Sequence, residues 1–260
     1  MTSPILITGG TGTLGRLVVP RLAADHPVRV LSRGRRPGAP GVEHVTADLL
    51  SGKGIAAALA DVRVIVHLAG GPRGDDRAAH TLLKAAGNSG VEHVLAISVV
   101  GADRMPVGYF RAKLGLEQAL AAGGVPWSLV RAAQFQESCY DLAVRMARLP
   151  VVPIPTGIRL QPVAAAEVAD RLAELAVGHS AGRVDDIVGP TTYDAAHVIR
   201  SALRACGKHR LCLPVRIPGK AGRAYRAGWN LSNSSVRGQT WEAVLGQVGA
   251  GPAVAAGTRR

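Results

Sequence analysis

Tyr109 and Lys113 stand four residues apart in the segment YFRAK, a spacing that puts both side chains on one face of a helix. A lysine ammonium close to a phenol favours the ionised form of the phenol, so this pair predicts a tyrosine that donates or accepts a proton. Ser98, eleven residues earlier, carries a hydroxyl that we expect to hydrogen-bond the carbonyl oxygen that Tyr109 would protonate. The three residues predict general acid–base chemistry on a carbonyl group, beside a carrier of hydride.

A glycine-rich turn near the start of the chain supplies a place for such a carrier. The segment ILITGGTGTLGR, residues 5–16, satisfies the spacing G-x-G-x-x-G and also G-x-x-G-x-x-G. A strand that reverses sharply into a helix needs glycine, and a pyrophosphate reaches the helix N-terminus only where no side chain stands. A plain glycine turn without a ligand is the alternative reading. The residues predicted to contact the dinucleotide here are Gly9, Thr11, Gly12, Thr13, Leu14 and Gly15.

The segment VLSRGRRPG, at the end of the second predicted strand, indicates which dinucleotide is bound. An NAD site usually has an acidic residue about 20 residues beyond the glycines. Ser32 and Arg33 stand at that position here, followed by Arg35 and Arg36, so a 2′-phosphate would meet cations and hydroxyl donors. We therefore expect NADP(H), with Ser32, Arg33 and Arg36 in contact with it; the alternative is a solvated basic loop.

Two further strand ends are expected to line the cofactor. Asp48 and Leu49 follow the third strand and are predicted to lie beside the adenine. The segment HLAGG follows the fourth strand, and its small residues would let the backbone pass close to the adenosine ribose and pyrophosphate. From this segment we include Leu68, Ala69 and Gly70 in the predicted site.

Short apolar segments alternate with helix-like segments and would position these residues. The strand-like segments are 4–8, 28–31, 42–46, 63–68, 91–98 and 127–131, and the helix-like ones are 14–24, 52–60, 75–88 and 109–122. This βαβ rhythm predicts an α/β fold, a Rossmann doubly wound parallel sheet with a small C-terminal substrate lobe. We predict an NAD(P)-binding Rossmann domain over residues 1–132 and a substrate-covering lobe over 133–260, partly interleaved with it.

The later part of the chain is less regular. AAAEVADRLAELA predicts a helix and GRVDDIVG a strand, and the chain from about residue 229 is expected to be rich in turns. Trp127 and Trp241 are expected to anchor packing. His67, on an apolar strand, is expected to be a core histidine and not a base.

Bulk composition narrows the class of protein. The chain has 260 residues, 47% hydrophobic but only 3% aromatic, so its core must be mainly aliphatic. Its three cysteines lack the spacing of a disulfide framework or zinc site, and no metal is expected. The first strand follows Met1 at once and no apolar run has the length of a membrane span, so a soluble cytoplasmic protein is expected.

The net charge of +13 raises the question of an anionic partner. The basic residues are spread along the chain and stacking aromatics are scarce, so we expect no nucleic-acid partner. One basic run, Arg216, Lys220, Arg223 and Arg226, falls on one helical face. It either contacts anionic lipid or another partner, or is a solvated face. A small-molecule substrate is expected, with a homodimer left open.

The segments TGGTGTLGR, HLAG, ISVVGADRMPVGYFRAKLGLEQAL and WSLVRAAQF together resemble an atypical short-chain dehydrogenase/reductase of the NmrA-like, NAD(P)-binding group, over about residues 4–205. The resemblance implies Tyr109 as the acid, Lys113 holding the nicotinamide ribose and Ser98 as the carbonyl partner. It also implies that Gln134 and Phe135 lie near the nicotinamide and substrate.

One feature of that group has no clear counterpart here. The asparagine that completes the usual catalytic tetrad is missing, and DDRAAHTLLKAAG offers only Thr81 or His80 in that helix. The group includes oxidoreductases and also members that bind the cofactor as redox sensors without turnover. The sequence thus predicts an NADPH-dependent oxidoreductase that reduces a carbonyl or activated double bond of a largely apolar small molecule. A non-catalytic NADP(H)-binding sensor or interaction protein is the alternative.

Overall fold

The fold is described from a computed structural model, which covers residues 3–34, 36–71, 74–234 and 238–250. For residues 248–250 only the backbone is described. The chain divides into two compact units. The first comprises Met1–Ala132 and Ala165–Asp186, and the second comprises Ala133–Ala164 and Ile187–Arg260.

The described residues contain eleven strands and nine helices. The strands are β1 Ile5–Thr8, β2 Val28–Ser32, β3 Val42–Thr46, β4 Val64–His67, β5 His93–Val99, β6 Trp127–Ala132, β7 Val151–Pro155, β8 Arg159–Leu160, β9 Gly182–Arg183, β10 Tyr193–Asp194 and β11 Leu211–Val215. The helices are α1 Gly15–Ala23, α2 Ile55–Ala58, α3 Asp75–Ala86, α4 Gly108–Ala122, α5 Gln136–Met146, α6 Ala165–Val177, α7 Ala195–Ala205, α8 Gly219–Arg226 and α9 Trp241–Ala250.

The first unit is built on a seven-stranded sheet in the order β3-β2-β1-β4-β5-β6-β9, and every pairing in it is parallel. Strands buried on both faces need apolar residues at successive positions, and β1 and β5 are buried along their whole length. The order of the strands reverses between β1 and β4, where ligands of doubly wound sheets bind. The predicted Rossmann-type fold is confirmed.

Helices cover both faces of this sheet. Side chains of α2, α3 and α4 join the strands in one apolar cluster that includes Leu6, Ile65, Leu82 and Leu116. Helix α1 packs on α6, the helix predicted from AAAEVADRLAELA. Trp127 packs against the apolar cluster, as predicted for an anchor.

The second unit contains two small sheets, antiparallel β10-β8 and parallel β11-β7. Helices α5 and α7 pack together, and the fully buried Trp241 of α9 donates from Nε1 to Ser201 Oγ at 2.8 Å. Trp241 is therefore the packing anchor that we predicted. The expectation that the chain is rich in turns from about residue 229 fits residues 231–234 and 238–240, which have no regular secondary structure, but it is wrong for α9, which forms where Trp241 can be buried. Of the predicted strand GRVDDIVG, Gly182–Arg183 forms β9 and Ile187 forms a single bridge.

None of the helices in the described part of the chain has both the length and the apolar character needed to cross a membrane.

Candidate cofactor and active site

The turn between β1 and α1 contains glycines with different tasks. Gly9 has φ +73°, and a Cβ there would lie 2.5 Å from the backbone nitrogen of Ala69. A Cβ on Gly15 would lie 2.3 Å from the carbonyl oxygen of Gly9, so these two positions require glycine for the turn to close. Gly12 is exposed, and the nearest atom to a Cβ there is the Gly9 oxygen at 3.3 Å. Its missing side chain leaves the surface in front of α1 open to a ligand.

The N-terminus of α1 is suited to bind an anion. The helix begins at Gly15 without a side-chain cap. In the part of the chain that the structure describes, the backbone N–H groups of Thr13 and Leu14 have no hydrogen-bond partner. Unpaired N–H groups and the helix dipole together favour a phosphate at this position.

The loop after β2 presents cations at its surface. Ser32 Oγ donates to the carbonyl oxygen of Gly34 at 2.6 Å, so its proton is used within the loop. Arg33 and Arg36 are exposed, whereas Arg35 lies outside the described residues. These two guanidinium groups are what this loop offers to a 2′-phosphate.

Asp48 shapes the loop after β3. Its carboxylate accepts hydrogen bonds from the Leu50 backbone nitrogen at 3.0 Å and from Ser51 Oγ at 2.8 Å. These bonds, with a smaller contribution from the charge of Arg33, lower the pKa of Asp48. Leu49 is buried in the apolar core beside it. The position of both residues beside the adenine stays a prediction.

The ammonium group of Lys113 lies in a buried pocket of backbone and carboxylate. Its Nζ is 3.1 Å from Asp75 Oδ2, and the other carboxylate oxygen, Oδ1, accepts from the Gly71 backbone nitrogen at 2.5 Å. A Cβ on Gly70 would lie 2.8 Å from the Lys113 Nζ. The segment HLAGG thus has a residue without a side chain where the lysine ammonium lies. Glycine at position 70 is needed for this packing, in addition to its predicted contact with the cofactor.

Asp75 is the residue that sequence reasoning missed. The alternatives considered in the same helix do not reach the lysine: Thr81 Oγ1 donates to the Arg77 carbonyl oxygen, and His80 is exposed. The only local signal for Asp75 is its place at the first position of α3, where an acid is favoured by the helix dipole in any case.

Tyr109 stands on the first turn of α4, one turn before Lys113. Its side chain is 40% exposed, and its ring packs edge-on against Phe110 with a centroid distance of 5.6 Å. The exposed phenol, one helical turn from the residue that carries the buried ammonium, is accessible to a substrate. The role of Tyr109 as acid stays a prediction.

The hydroxyl of Ser98 belongs to a polar network inside the protein, and this network engages the proton that Ser98 was expected to donate to a substrate carbonyl. Its Oγ donates to Glu117 Oε1 at 2.5 Å, and Glu117 also accepts from Arg131 Nε at 2.9 Å and Nη2 at 2.6 Å. Arg131 Nη1 donates to Asp103 at 2.8 Å. A serine hydroxyl has one proton, so Ser98 donates to Glu117 and not to a substrate carbonyl. The prediction of Ser98 as the carbonyl partner is not supported; the network joins β5, β6 and α4.

His67 is the core histidine that the sequence predicted. It is 2% exposed, and burial, aided by the charge of Lys113, lowers its pKa to about 3. Thr8 Oγ1 lies within hydrogen-bond distance of His67 Nδ1, at 2.7 Å, and also accepts from the Ala69 backbone nitrogen. With its lowered pKa His67 is neutral, and its bond to Thr8 ties the ends of β1 and β4 together.

Gln134 and Phe135 lie near the start of the second unit, between β6 and α5. The carbonyl oxygen of Gln134 accepts from the Val163 backbone nitrogen at 3.0 Å, and Phe135 precedes the first residue of α5. The side-chain oxygen of Gln134 is buried and has no hydrogen-bond partner among the described residues. Contact of these two residues with substrate stays a prediction.

Comparison with known proteins shows the family of this chain. Residues 9–176 match a family described as NAD(P)H-binding. The chain is 31% identical to the (4-alkanoyl-5-oxo-2,5-dihydrofuran-3-yl)methyl phosphate reductase of Streptomyces griseus, covering 78% of this chain and 74% of that protein. It is 25% identical to quinone oxidoreductase 2 of Escherichia coli, covering 78% and 75%.

Solved structures show the same fold. The NADPH-dependent quinone oxidoreductase of Escherichia coli, complexed with NADPH, superposes with a TM-score of 0.79 at 18% identity, covering 94% of this chain and 99% of that one. The triphenylmethane reductase of Citrobacter, complexed with NADP(H), gives a TM-score of 0.70 at 20% identity, covering 89% and 92%. With its glycine turn, parallel sheet and matched residues, the chain belongs to this NAD(P)H-binding family.

Proposed function

We propose that this NAD(P)H-binding oxidoreductase uses NADPH to reduce a carbonyl group or an activated double bond of a largely apolar small molecule, with Tyr109 as the proton donor. The observation that carries the proposal is the buried ammonium of Lys113, held by Asp75 one helical turn from the exposed Tyr109. Burying the charge of Lys113 at the carboxyl ends of β4 and β5 costs free energy. Binding of the cofactor by this ammonium would explain why the charge is there.

The residues present fit a dinucleotide. Gly12 leaves space in front of α1, the Thr13 and Leu14 N–H groups are free to bind phosphate oxygens, and Arg33 and Arg36 offer charge to a 2′-phosphate. The nicotinamide supplies the hydride when it is bound.

The side chains of the chain itself supply the proton and the geometry. Lys113 is proposed to bind a ribose hydroxyl and to stabilise the phenolate left when Tyr109 gives up its proton. Asp75 keeps the ammonium in that position and, through its bond from Gly71, fixes it relative to the end of β4. Since Ser98 donates to Glu117, Tyr109 would be the donor to the reduced group without its help.

The names of relatives bear on the substrate class. They include a reductase of an unsaturated furanone phosphate, a quinone oxidoreductase and an azoreductase from Xenophilus azovorans, the last 26% identical. Their named acceptors are conjugated systems that take up two electrons. We propose an acceptor of this kind for this chain, with an enone or quinone as the first compounds to examine.

One observation favours a second candidate, a cofactor-binding sensor without turnover. The carbonyl partner predicted at Ser98 is engaged inside the protein, so fewer groups are available for chemistry. A sensor would bind NADPH and change its association with a partner.

The test is a screen for oxidation of NADPH by the purified protein with enones, quinones, azo dyes and simple ketones. The proposal expects turnover of at least one conjugated acceptor and its loss in Tyr109→Phe. Tyr225→Phe, in the second unit, is the matched control and should retain turnover. Tight NADPH binding with no turnover of any acceptor class would favour the sensor.

A further inference from the structure

The strand pair β7 and β11 carries an exposed aliphatic face. Leu211 is 70% exposed, Leu213 55% and Val215 39%, all on β11. Val151 of β7, 38% exposed, is the register partner of Leu211. The intervening Cys212 packs inward against the core of the second unit. An alternating strand with its larger apolar residues outward is the reverse of the usual pattern for a sheet on a core.

The segment that contains this face is strongly basic. Between Asp194 and Glu242 the sequence has nine Lys and Arg residues and no Asp or Glu, which accounts for nine of the thirteen net positive charges of the chain. Lys208 and Arg210 precede β11 directly, and Arg216 and Lys220 follow it. The aliphatic face is thus bordered by cations at both ends of its strand.

Several of these cations point into solvent. Lys208, Arg216, Lys220 and Arg223 are exposed, and within the described residues none of them forms an ion pair. Arg210 differs, because its Nε donates to the Ala147 carbonyl oxygen at 2.9 Å. The cations without acidic neighbours are free to bind an external anion.

We propose that the lipid-binding face, defined as the exposed side chains of β7 and β11 with Lys208, Arg216, Lys220 and Arg223, docks on the surface of an anionic lipid bilayer. Aliphatic side chains enter the boundary between headgroups and acyl chains, while lysine and arginine bind lipid phosphates. Trp229, 43% exposed and in the same segment, is of the type that favours this boundary.

Other occupants fit less well. A nucleic acid would pair with the cations but offers no apolar layer to cover Leu211 and Leu213. A second copy of the chain would cover the aliphatic face but bring two sets of like charges together. Only an anionic lipid surface offers both an apolar layer and a dense layer of phosphates.

The test is flotation of the full chain with vesicles. The chain is expected to float with vesicles of equal parts phosphatidylglycerol and phosphatidylcholine at low salt, less so at high salt, and hardly at all with pure phosphatidylcholine. Leu211→Ser with Leu213→Ser, and separately Arg216→Gln with Lys220→Gln, should each weaken binding about tenfold or more. Val177→Ser and Lys84→Gln change an exposed aliphatic residue and an exposed lysine on helices of the first unit, and both variants should bind as wild type.

The proposal would be overturned by no flotation with anionic vesicles at low salt, by variants that bind as their controls do, or by tighter binding to duplex DNA than to vesicles. Loss of a solution dimer in the leucine variant, with unchanged flotation, would assign the face to a second copy and also overturn it. NADPH affinity, measured in parallel, should be unchanged in every variant and shows that they fold. The result therefore does not depend on whether a substrate is found.

Discussion

Lys113 Nζ lies 3.1 Å from Asp75 Oδ2, and both side chains are 6% exposed. Asp75 is the first residue of α3 and Lys113 lies in the middle of α4, so the pair joins two helices at the edge of the sheet where β4 ends. Taking both charges out of water is costly, and their attraction offsets that cost only while both are present. The position of the ammonium thus depends on a carboxylate 38 residues earlier in the chain.

Removing both partners should therefore destabilise the fold less than the sum of the two single removals. Asp75→Ala is expected to lower the free energy of unfolding by about 3 kcal/mol, because Lys113 is left buried without a counter-charge. Asp75→Ala with Lys113→Met should be less destabilised than the sum of the single changes by more than about 1 kcal/mol. The free energy of unfolding is measured by urea denaturation for wild type, Asp75→Ala, Lys113→Met and the double variant. Glu174→Ala, which breaks the exposed pair with Arg171, should cost less than about 1 kcal/mol. Additive single effects would contradict the coupling.

The buried His67 should make the fold sensitive to acid. Its pKa of about 3 in the folded protein lies below the ordinary 6.5 of the unfolded chain. Stability is therefore complete above the unfolded value and is lost as the pH falls toward 3, since only the unfolded state takes up the proton. From about pH 7.5 to about pH 5 the loss from this residue should be about 2 kcal/mol.

The measurement is the free energy of unfolding at both pH values. His67→Gln should be less stable than wild type at neutral pH but should lack this part of the acid slope. His80→Gln, at an exposed position on α3, should keep the wild-type slope. A wild-type slope in His67→Gln would show that other groups cause the acid sensitivity.

The loop after β2 should determine the choice of cofactor. If Arg33 and Arg36 bind the 2′-phosphate, NADPH should bind at least about tenfold tighter than NADH, a difference of about 1.4 kcal/mol. Arg33→Ala with Arg36→Ala should remove that preference and leave NADH affinity nearly unchanged. Arg63→Ala, just before β4 and so at the opposite edge of the sheet, is the control and should preserve it. Equal affinities for the two cofactors in wild type, by calorimetry, would contradict the assignment.

The strands and main helices of the first unit were predictable because their signal is local. Apolar runs such as VRVL and VEHVLAIS, separated by helical periodicity, correspond to β2 and β5 within two residues at each end. The glycine turn was also predictable, since Gly9 and Gly15 obey steric limits that leave no other residue type. The helix α9 was missed because it depends on burial of Trp241 against α7, a contact between distant segments.

The polar partners of the site were not predictable for the same reason. Nothing near Lys113 in the sequence indicates that Asp75 will face it, because α3 and α4 meet only after the sheet forms. The role given to Ser98 followed from its position at the end of β5, but a serine hydroxyl has one proton. The nearest strong acceptor, Glu117 held by Arg131, takes it.

The hydrogen-bond network of Ser98, Glu117 and Arg131 predicts a structural role for Ser98. Ser98→Ala should leave turnover within about threefold of wild type, and should lower the free energy of unfolding by about 1 to 2 kcal/mol because Glu117 loses a donor. Ser128→Ala, a buried serine on β6 that bonds His93, should behave in the same way. A hundredfold loss of turnover in Ser98→Ala, with NADPH affinity intact, would restore Ser98 as the carbonyl donor.

Substitutions of Tyr109 and Lys113 should have different effects on turnover and on NADPH affinity. Tyr109 is 40% exposed, so Tyr109→Phe should fold normally, bind NADPH nearly as wild type does, and lose about a hundredfold or more in kcat, the usual scale of general acid catalysis. Lys113→Ala should weaken NADPH binding as well, because the ammonium is proposed to hold the ribose. The comparison needs an acceptor that wild type reduces, with cofactor affinity measured by calorimetry and turnover by loss of NADPH. If Tyr109→Phe turns over that acceptor at the wild-type rate, the proton comes from another group or from water, and the proposed mechanism is wrong even though the cofactor site stands.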